Sequence, residues 1–523
     1  MADMLSIGSS ALMAYQRALN TVSNNVANAN TPGYSREIVQ FQTRTDTPTG
    51  AGSFGAGVDA VGITRAQDPF ANSQLWASTS AQAAAQVVAS AATQVDNQFS
   101  SDDLSLAGPL NDFFDTLDAW ASAPTDGASR EAVLQSAQTL AARWTSTEQT
   151  LGRLQSSLGQ QADATVSQVN TLTKQIAAYN NTIAIATGNN GGHPPNELLD
   201  KRDEAIRQLA GQMDISVVTG ANGATNIYTG SGQALVLSTS ATTVSLTKSP
   251  DTGALQVQLG SGASAITLPS VGGGALGGEL AAMTQVVAPA QRNLTALANR
   301  ITDAVNTVQA AGTDANGQPG APIFSVKAPT VQPGAANSGD ATLNASLANS
   351  VSWPAEAITF RFDGTTWTAV GVTTGKPYPL FGSGSSSDPL TGADPNPPHQ
   401  DQLGLALTVT GTPQPGDRFT VDATSSGLAA TLRDGSQLAA ASPVTATPGA
   451  GNSGTAAVAQ LQVTDPSNPD LRSSVSLQFT SPTQVSIDGA PPVAFNGTVA
   501  ANGWSLTLSG IPAAGDQFTL SPT

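Results

Sequence analysis

Residues Ser23 to Arg36 read SNNVANANTPGYSR and follow a helical pattern that carries almost no charge. The step Thr31-Pro32-Gly33 predicts the end of that helix, because proline disfavours helical geometry in the residue before it and glycine permits the turn. Asparagine is frequent just before this step, at residues 24, 25, 28 and 30. Its amide competes for nearby backbone groups and weakens a helix. The stretch therefore predicts a change from one long helix to an extended segment.

The helix before this boundary has a hydrophobic seam that repeats every seven residues. The seam consists of Leu5, Leu12, Leu19 and Val26, with Gly8, Tyr15, Val22 and Ala29 three positions after them. This spacing is typical of a coiled coil. Only Asp3 and Arg17 are charged within residues 1–30, whereas a helix on a globular domain normally keeps a charged face toward water. We therefore predict that several sides of this helix contact other copies of the chain.

Two interpretations of the asparagines stay open. An amide both donates and accepts hydrogen bonds, so these side chains can bond between packed subunits without burying a charge. Alternatively, they only fray the helix end before the turn. The first interpretation predicts an assembly interface, which comprises Leu5, Leu12, Tyr15, Leu19, Val22, Asn24, Asn25, Val26, Asn28 and Asn30.

Composition excludes several classes of function. The 523 residues exceed one ordinary domain of roughly 150 residues. A formal charge of -17 opposes binding to a nucleic-acid backbone or an anionic membrane surface, so we expect neither partner. No cysteine is present, which excludes disulfides and thiolate metal sites. No run approaches about 18 apolar residues and the N-terminus lacks a secretory signal pattern, so we expect no membrane insertion.

The sequence offers little for catalysis or metal binding. Its two histidines, His193 and His399, stand outside any zinc-binding pattern, and no G-x-S-x-G elbow lies near them. Asp314-Ala-Asn316-Gly317 resembles the start of a calcium loop, but Pro319 and Ser325 occupy the positions that need glycine and glutamate. We expect a turn there, and we expect no enzyme activity, no cofactor and no metal ion.

The middle of the chain predicts long helices with a small β insert. Asp68-Pro69 begins a helix that runs to Phe99, since an acidic N-cap precedes a first-turn proline. Apolar residues at helical spacing predict further helices over 106–121, 128–187, 196–213 and 279–311. Alternating apolar residues between 214 and 270 predict short antiparallel strands. Pro289 is expected to kink the last helix.

Two related β units follow the helices. The phrase PGAANSG at 333–339 recurs as PGAGNSG at 448–454, and the segment 405–421 recurs at 504–520. Each unit therefore begins and closes on the same phrases, over about 333–424 and 448–523. Between the phrases, period-two alternation indicates β-sandwich strands. The Gly-Asp step before Phe419 and Phe518 indicates a turn.

The tryptophans of these units have two interpretations. Trp353, Trp367 and Trp504 can pack in a core or bind a glycan, and we expect core packing because large aromatic side chains mostly serve burial.

The patterns together predict a multidomain α plus β fold. It consists of a long antiparallel helical bundle or coiled coil with a small β insert, followed by two β-sandwich-like repeat domains. The expected domains are 1–60, an assembly helix with an extended linker; 61–330, the bundle, with its β insert at about 214–270; 331–430, the first β domain; and 431–523, the second.

The first part of the chain resembles a known family. The run from Ala11 to Tyr34 is similar to the N-terminal signature of bacterial flagellar rod, hook and hook-associated proteins. The resemblance continues through residues 55–75, 196–203 and 306–317. Its signature turn is Thr31, Pro32, Gly33, Tyr34, Ser35 and Arg36, and the last two residues resemble those of the hook-associated members.

This resemblance implies a structural subunit of the flagellar axis rather than an enzyme. It implies a ring of like copies at the junction between hook and filament, with hook protein on one side and the next hook-associated protein on the other. It also implies an extracellular location, reached through the flagellar export apparatus without a cleaved signal peptide. A hook or rod subunit, and a surface adhesin that uses the β repeats, are the alternatives.

The sequence departs from the family pattern at its far end. The family implies a C-terminal helix, apolar and low in charge, which pairs with the first helix and lies near the binding site of an export chaperone. This sequence stops on a β phrase at Leu520-Ser521-Pro522-Thr523. We therefore expect a truncated chain or a different closure, a chaperone site in the missing segment, and a first helix without an intramolecular partner.

Overall fold

A computed structural model gives the fold of the chain. It describes residues 4–49, 52–101, 104–220, 223–249, 254–349, 352–354, 356–372, 375–395, 398–399, 401–422, 427–466 and 468–523. Asp3, one of the two charged residues of the predicted low-charge helix, lies outside these ranges. The chain forms two compact units, one of Met1–Gln94 with Arg153–Ala288 and the other of Val95–Gly152 with Pro289–Thr523.

A helix and a β-ribbon open the first unit. Helix α1 spans Met4–Ala27. Strand β1 (Glu37–Thr43) pairs antiparallel with β4 (Val58–Arg65), and β2 (Thr47–Thr49) pairs with β3 (Gly52–Phe54) between them. We refer to the β1–β4 pair as the ribbon.

The long helices follow the predicted limits closely. They are α2 (Pro69–Ser100), α3 (Ala107–Ser122), α4 (Gly127–Asn189) and α5 (Asn196–Gln212). Asp68 caps α2, because its carboxylate accepts the backbone N–H of Phe70 at 2.9 Å. None of the helices in the described ranges is long and apolar enough to cross a membrane.

The predicted β insert forms two small sheets in the first unit. One contains β5 (Ile215–Thr219), β6 (Thr225–Thr229), β7 (Ala234–Leu237) and β8 (Ser240–Ala241), which lie side by side in chain order. The other contains β9 (Val244–Lys248), β10 (Leu255–Leu259) and β11 (Ile266–Thr267), with β10 in the middle. Their apolar faces join α4 and α5 in one core, which includes Ile176, Ile206, Leu209, Ile227, Val236 and Leu276.

A π-helical turn interrupts the last helical region. Helix α6 (Gly274–Ala281) continues through this turn, Ala282–Val287, into α7 (Ala288–Ala310). Pro289 is the second residue of α7, and a proline lacks the N–H and crowds the carbonyl four residues before it. A π turn is one way in which a helix absorbs such a defect. The irregularity predicted at Pro289 therefore takes the form of a π turn just before it.

The second unit has its own helical core. It contains both leucine and aromatic side chains, and Phe113 packs edge-on against Phe324 with ring centroids 5.2 Å apart. The core includes Phe113, Trp120, Leu140, Trp144, Ile301 and Phe324. A short pair, β12 (Phe324–Ser325) with β23 (Ala429–Ala430), closes onto it.

Two sandwiches complete the second unit, and their strand orders correspond one to one. The first comprises β13 (Thr330–Pro333), β14 (Thr342–Leu347), β15 (Ile358–Phe362), β16 (Trp367–Gly371), β17 (Pro377–Tyr378), β18 (Leu390–Thr391), β19 (Asp394–Pro395), β20 (Pro398–His399), β21 (Leu405–Thr410) and β22 (Arg418–Asp422). The second comprises β24 (Val444–Pro448), β25 (Ala457–Val463), β26 (Val475–Ser481), β27 (Gln484–Ile487), β28 (Val493–Ala494), β29 (Thr498–Ala501), β30 (Trp504–Ser509) and β31 (Gln517–Pro522). In the first sandwich one sheet has the order β13-β22-β15-β16-β17 and the other β14-β21-β18; in the second the orders are β24-β31-β26-β27-β28 and β25-β30-β29.

The repeated phrases bind each other in the first sandwich. The buried carboxylate of Asp417 accepts the backbone N–H groups of Ser338 at 2.8 Å, Gly339 at 3.2 Å and Gln414 at 2.8 Å. The amide of Asn337 donates to the carbonyl of Arg418 and accepts its N–H, both at 2.8 Å. The opening phrase is thus locked to the closing phrase.

The second sandwich repeats this lock with the corresponding residues. Asp516 accepts the N–H groups of Ser453 at 2.7 Å, Gly454 at 3.2 Å and Ala513 at 2.8 Å. Asn452 exchanges two hydrogen bonds with the backbone of Gln517. The prediction of a Gly-Asp turn covers only part of the role of this aspartate, because its carboxylate also joins two segments that lie far apart in the sequence.

The tryptophans of the sandwiches serve the cores, as expected. Trp353 and Trp504 are buried, and Trp367 lies half-buried against Phe362 and Phe419. The predicted fold class, a helical bundle with a β insert followed by two sandwich-like repeats, is confirmed. The four predicted domain limits stay a prediction.

We expect Asp417→Asn to weaken the first sandwich. The N–H donors of Gln414, Ser338 and Gly339 hold the pKa of Asp417 below its usual range. Because the pKa is lower in the folded state, the ionised Asp417 stabilises the fold at pH values above the unfolded-state pKa. This stabilisation is lost as the pH falls through the folded-state pKa. The variant should melt several degrees lower at pH 7 in scanning calorimetry, and the difference from the parent should shrink as the pH falls through the lowered pKa of Asp417. The exposed Asp115→Asn in α3 is the control, and equal melting of the two variants at pH 7 would contradict the lock.

One carboxyl group of the first unit is buried without a cation. Glu279 of α6 is 3% exposed, and one of its oxygens accepts the Thr165 hydroxyl at 2.9 Å, while the other has no partner. No charged residue occurs in α2 between residues 69 and 95, and Asp163 on α4 is exposed. Burial raises the pKa of Glu279 to about 7, against the opposing effect of the Thr165 hydrogen bond.

This burial predicts that stability falls with rising pH. The folded state favours the protonated acid, so its contribution is full below the unfolded pKa of about 4.5 and is lost as the pH approaches 7. We expect Glu279→Gln to raise the free energy of unfolding by about 1–3 kcal/mol at pH 8 and by little at pH 4. Urea unfolding at both pH values measures this, with Asp163→Asn as control. A variant that gains nothing at pH 8 would show that Glu279 is ionised at no cost.

Candidate subunit interface at the N-terminal helix

The first helix packs on the chain's own ribbon through small residues. Ser10, Ala14 and Thr21 are its buried positions, and they face β1 and β4. Small side chains let the helix lie close to the strands. The expectation that this helix lacks an intramolecular partner is therefore wrong, because the ribbon supplies one.

Two contacts fix where the helix crosses the ribbon. The Ser10 hydroxyl accepts the backbone N–H of Val58 at 3.3 Å, next to Gly57. Gly57 has φ +104°, and a Cβ at this position would collide with Ser10, so only glycine fits here. Two turns further along the helix, Arg17 donates to the carbonyl of Ala60 at 3.1 Å. The Gly55–Val58 motif thus has a structural reason, which is close approach to α1.

The hydrophobic seam lies on a different side of the helix and faces solvent. Its large side chains are between 56% and 81% exposed, and these are Leu5, Leu12, Tyr15, Leu19, Val22 and Val26. Tyr15 touches Phe41 of the ribbon at a centroid distance of 6.0 Å, while its side chain stays mainly open. The seam is a continuous apolar surface without a cover from the described part of the chain, and exposed apolar surfaces of this kind mark interaction sites.

The asparagines divide into two groups. Asn25 is used within the chain, since its amide donates to the carbonyl of Glu37 at 2.9 Å and accepts the N–H of Glu37 and the hydroxyl of Tyr34 at 2.8 Å. Asn28 bonds back to Asn24 at 2.9 Å. These contacts tie the helix end to the start of β1. They account for part of the asparagine cluster without a neighbouring subunit.

Asn30 and the first three residues of the signature turn are exposed, whereas Tyr34 and Ser35 are half-buried. The Thr31 hydroxyl donates to the side-chain oxygen of Asn28 at 3.3 Å, and Pro32 lies at the surface. Gly33 has φ +80°, and a Cβ there would meet Glu204 of α5. The turn thus lies directly over α5.

A buried ion cluster holds the ribbon to α5. The guanidinium of Arg65, at the end of β4, donates to Asp200 at 2.7 Å and to Asp203 at 2.9 Å. The same Asp200 accepts the backbone N–H of Ser35 at 3.0 Å, and Gln67 links Asp203 to the Ser35 hydroxyl. The side chains of Arg65 and Asp200 are only 9% and 12% exposed, so water screens this pair weakly.

Asn196 adds a second link from α5 to the ribbon. Its amide donates to the Glu37 carboxylate at 2.8 Å and to the carbonyl of Ile63 at 3.1 Å. Arg202 serves another purpose, because it is buried and donates to Asn180 and to the carbonyl of Gly223 near the insert. Burial lowers its pKa, and the charge of Asp203 opposes that shift. The motif at 196–203 therefore anchors both the ribbon and the β insert.

Sequence reasoning recognised these motifs but assigned them no contacts. Glu37, Arg65, Asn196, Asp200 and Asp203 lie in or beside the motifs quoted for the family resemblance, and the structure brings them together. The available signal was the recurrence of acidic residues every three positions, at 197, 200 and 203, in the segment NELLDKRD. Within the described ranges, no group of three or more histidine, aspartate or glutamate residues is placed to hold a metal ion.

Comparison with known proteins follows the same segments. Residues 5–34, which contain the helix and turn, match the flagella basal body rod protein family. Residues 92–324 match the helical domain of the flagellar hook-associated protein FlgK. Flagellar hook-associated protein 1 of Salmonella typhimurium is 31% identical over 373 residues, which cover 70% of this chain and 67% of that protein. The chain belongs to the flagellar hook-associated protein 1 family.

Further relatives agree with this family. Flagellar hook-associated protein 1 of Escherichia coli K12 is 29% identical over 432 residues, covering 82% of this chain and 77% of that protein. The solved structure of the flagellar hook junction protein FlgK from Burkholderia pseudomallei has a TM-score of 0.72 at 29% identity and covers 86% of this chain and 88% of its own. The family resemblance inferred from the sequence is thereby confirmed.

The ion cluster predicts a measurable effect on the ribbon. We expect Arg65→Met to leave the largely shielded Asp200 without its cation and Asp203 with only Arg202 at 4.0 Å, and to cost about 2–3 kcal/mol. Amide exchange in residues 37–65 should speed up, because the ribbon then opens more easily. The control is Arg44→Gln, which removes the exposed pair with Asp59 and should cost less than about 1 kcal/mol. Equal amide-exchange rates in the two variants would show that the ion cluster does not hold the ribbon in place.

Proposed function

We propose that this chain is a structural subunit of the bacterial flagellum that forms the junction between hook and filament. It assembles as a ring of like copies through the seam of α1. The observation that carries the proposal is the division of α1 into a small-residue side already packed on the ribbon and a large apolar side that is exposed.

Burial of apolar area supplies the association. About 25 cal/mol is gained for each Å² of apolar surface removed from water, and Leu5, Leu12, Leu19 and Val26 are among the most exposed apolar side chains of the described residues. Charge works in the same direction, because Arg17 is the single charged residue among residues 4–30. Packing of copies therefore desolvates few charges.

The remaining partners and the route follow from the family. The adjoining components in this proposal are hook protein on one side and the next hook-associated protein on the other. The chain reaches the outside of the cell through the flagellar export apparatus, without a cleaved signal peptide. It acts through its geometry and not as an enzyme.

The adhesin alternative has less support. A glycan-binding aromatic platform needs exposed rings, whereas Trp353 and Trp504 are buried in the cores of their sandwiches. The β repeats are better explained as outer modules of the same subunit.

A single charge in the seam tests the proposal. We expect Leu12→Glu to abolish assembly, because the interface then buries an unpaired carboxylate. The purified variant should fold like the parent by circular dichroism, since Leu12 makes no core contact in the chain. Gln16→Glu is the isosteric control and should assemble, because Gln16 is exposed at a position that flanks the seam, where coiled coils accept charges.

The measurement is complementation of a strain that lacks the gene. The parent chain and Gln16→Glu should restore filaments on hooks that form normally. If Leu12→Glu restores filaments equally well, the seam is not the assembly interface. If the deletion strain stays motile but loses adhesion, the adhesin alternative is favoured.

A further inference from the structure

An apolar groove lies between α3 and α7 in the second unit. Its volume is about 370 Å³. Large apolar side chains from both helices line it, and these are Phe114, Leu117, Trp120, Ile301, Val305 and Val308. They recur every three or four residues on each helix, so the groove follows the helices over about two turns. All of these residues belong to the second unit.

The bottom of the groove is part of the core, whereas its rims are open. Trp120 and Ile301 are buried. In contrast, Phe114 is 45% exposed and Val308 is 75% exposed. Leu297 lies one turn before Ile301 on α7 and is 41% exposed as well. Apolar side chains clustered in this way at the surface mark an interaction site.

The two rims of the groove carry opposite charges. On α3, Asp118 lies one turn after Phe114, and Asp115 lies one turn before Asp118, so both carboxylates border the groove. On α7, Arg300 lines the groove. The three charged side chains are exposed, and none of them forms an ion pair or a side-chain hydrogen bond with another described residue. They are therefore open to charged groups of a partner.

The exposed apolar helix of a second copy does not match these rims. Arg17 is the single charged residue among residues 4–30, and its guanidinium bonds the carbonyl of Ala60 in its own chain. The α1 seam thus offers no cation to Asp115 and Asp118. The formal charge of -17 on each copy adds repulsion at long range. Charge complementarity therefore favours a different protein as the occupant.

We propose that the groove binds an amphipathic helix of another protein. The apolar face of that helix lies between α3 and α7, its basic edge pairs with Asp115 and Asp118, and its acidic edge pairs with Arg300. Apolar burial supplies the affinity. The charged rims select the direction, because a reversed helix would set like charges against each other. The site is separate from the α1 seam, so the inference does not depend on the proposed function.

Synthetic helical peptides test the groove on the full-length chain. The test peptide has about 15 residues, a length at which helices begin to form alone, with leucine along one face, lysine along one edge and glutamate along the other. A matched peptide carries glutamate on both edges. Fluorescence anisotropy should show that the test peptide binds at least about tenfold more tightly, because the matched peptide sets like charges against Asp115 and Asp118. Equal affinities, or no binding of the test peptide, would overturn the proposal.

Removal of the carboxylates separates local pairing from the overall charge of the chain. In the double variant Asp115→Asn with Asp118→Asn, we expect the affinities of the two peptides to become nearly equal. A tenfold difference that persists in this variant would come from the remaining negative charge of the chain and would contradict the pairing.

A charge inside the groove tests where the peptide binds. Val308→Asp should abolish binding of the test peptide, because the contact would then bury an unpaired carboxylate. Thr307→Asp adds the same charge at the next residue, which is exposed and does not line the groove, so this control should bind like the parent. Circular dichroism and thermal melting check that both variants fold. Parental affinity in Val308→Asp, or equal loss in both variants, would show that the peptide does not occupy the groove.

Sedimentation tests a second copy as the occupant. We expect the purified parent, Val308→Asp and Thr307→Asp to sediment alike, because the groove does not join copies of the chain. If the parent and Thr307→Asp associate while Val308→Asp stays monomeric, the groove holds a second copy, and the proposal of another protein is overturned.

Discussion

The ion cluster of Arg65 with Asp200 and Asp203 is the contact on which the arrangement of the first unit depends. It joins the end of the ribbon to α5 across 135 residues of sequence and is largely shielded from water. The largely shielded guanidinium bonds both carboxylates, so this pairing holds the end of the ribbon against α5. The ribbon in turn fixes α1, because Ser10 and Arg17 bond to β4 and its start. The exposed seam is therefore presented by a chain of specific contacts that begins inside the unit.

Much of the fold was predictable because its signals are local. The limits of α3, α4 and α5 follow from apolar periodicity and from proline and glycine at their ends, and the β insert follows from alternation. The seam of α1 was predictable for the same reason. The opposite side of that helix was not, since Ser10, Ala14 and Thr21 are small or polar and give no hydrophobic period.

Long-range contacts could not be predicted from the sequence, and the reason is physical. The Asp417 and Asp516 locks look like turn residues, because a glycine-aspartate step has the same composition whether its carboxylate bonds nearby or across a sheet. The repetition of both phrases in both sandwiches was the only hint that they act together. In each case an asparagine and an aspartate bind backbone groups, and the closing glycine of the phrase is also required, because a Cβ at Gly339 or Gly454 would collide with that aspartate.

The low charge of α1 has two separate causes that coincide in one helix. On the side of the ribbon, close packing leaves no room for a long charged side chain, and Arg17 is accommodated there because it reaches the carbonyl of Ala60 at 3.1 Å. On the side of the seam, a charge would have to lose its hydration when copies associate. A helix that served only the ribbon would keep a charged outer face. The absence of charge on the outer face is thus the feature that internal packing does not explain, and the proposed association of copies accounts for it.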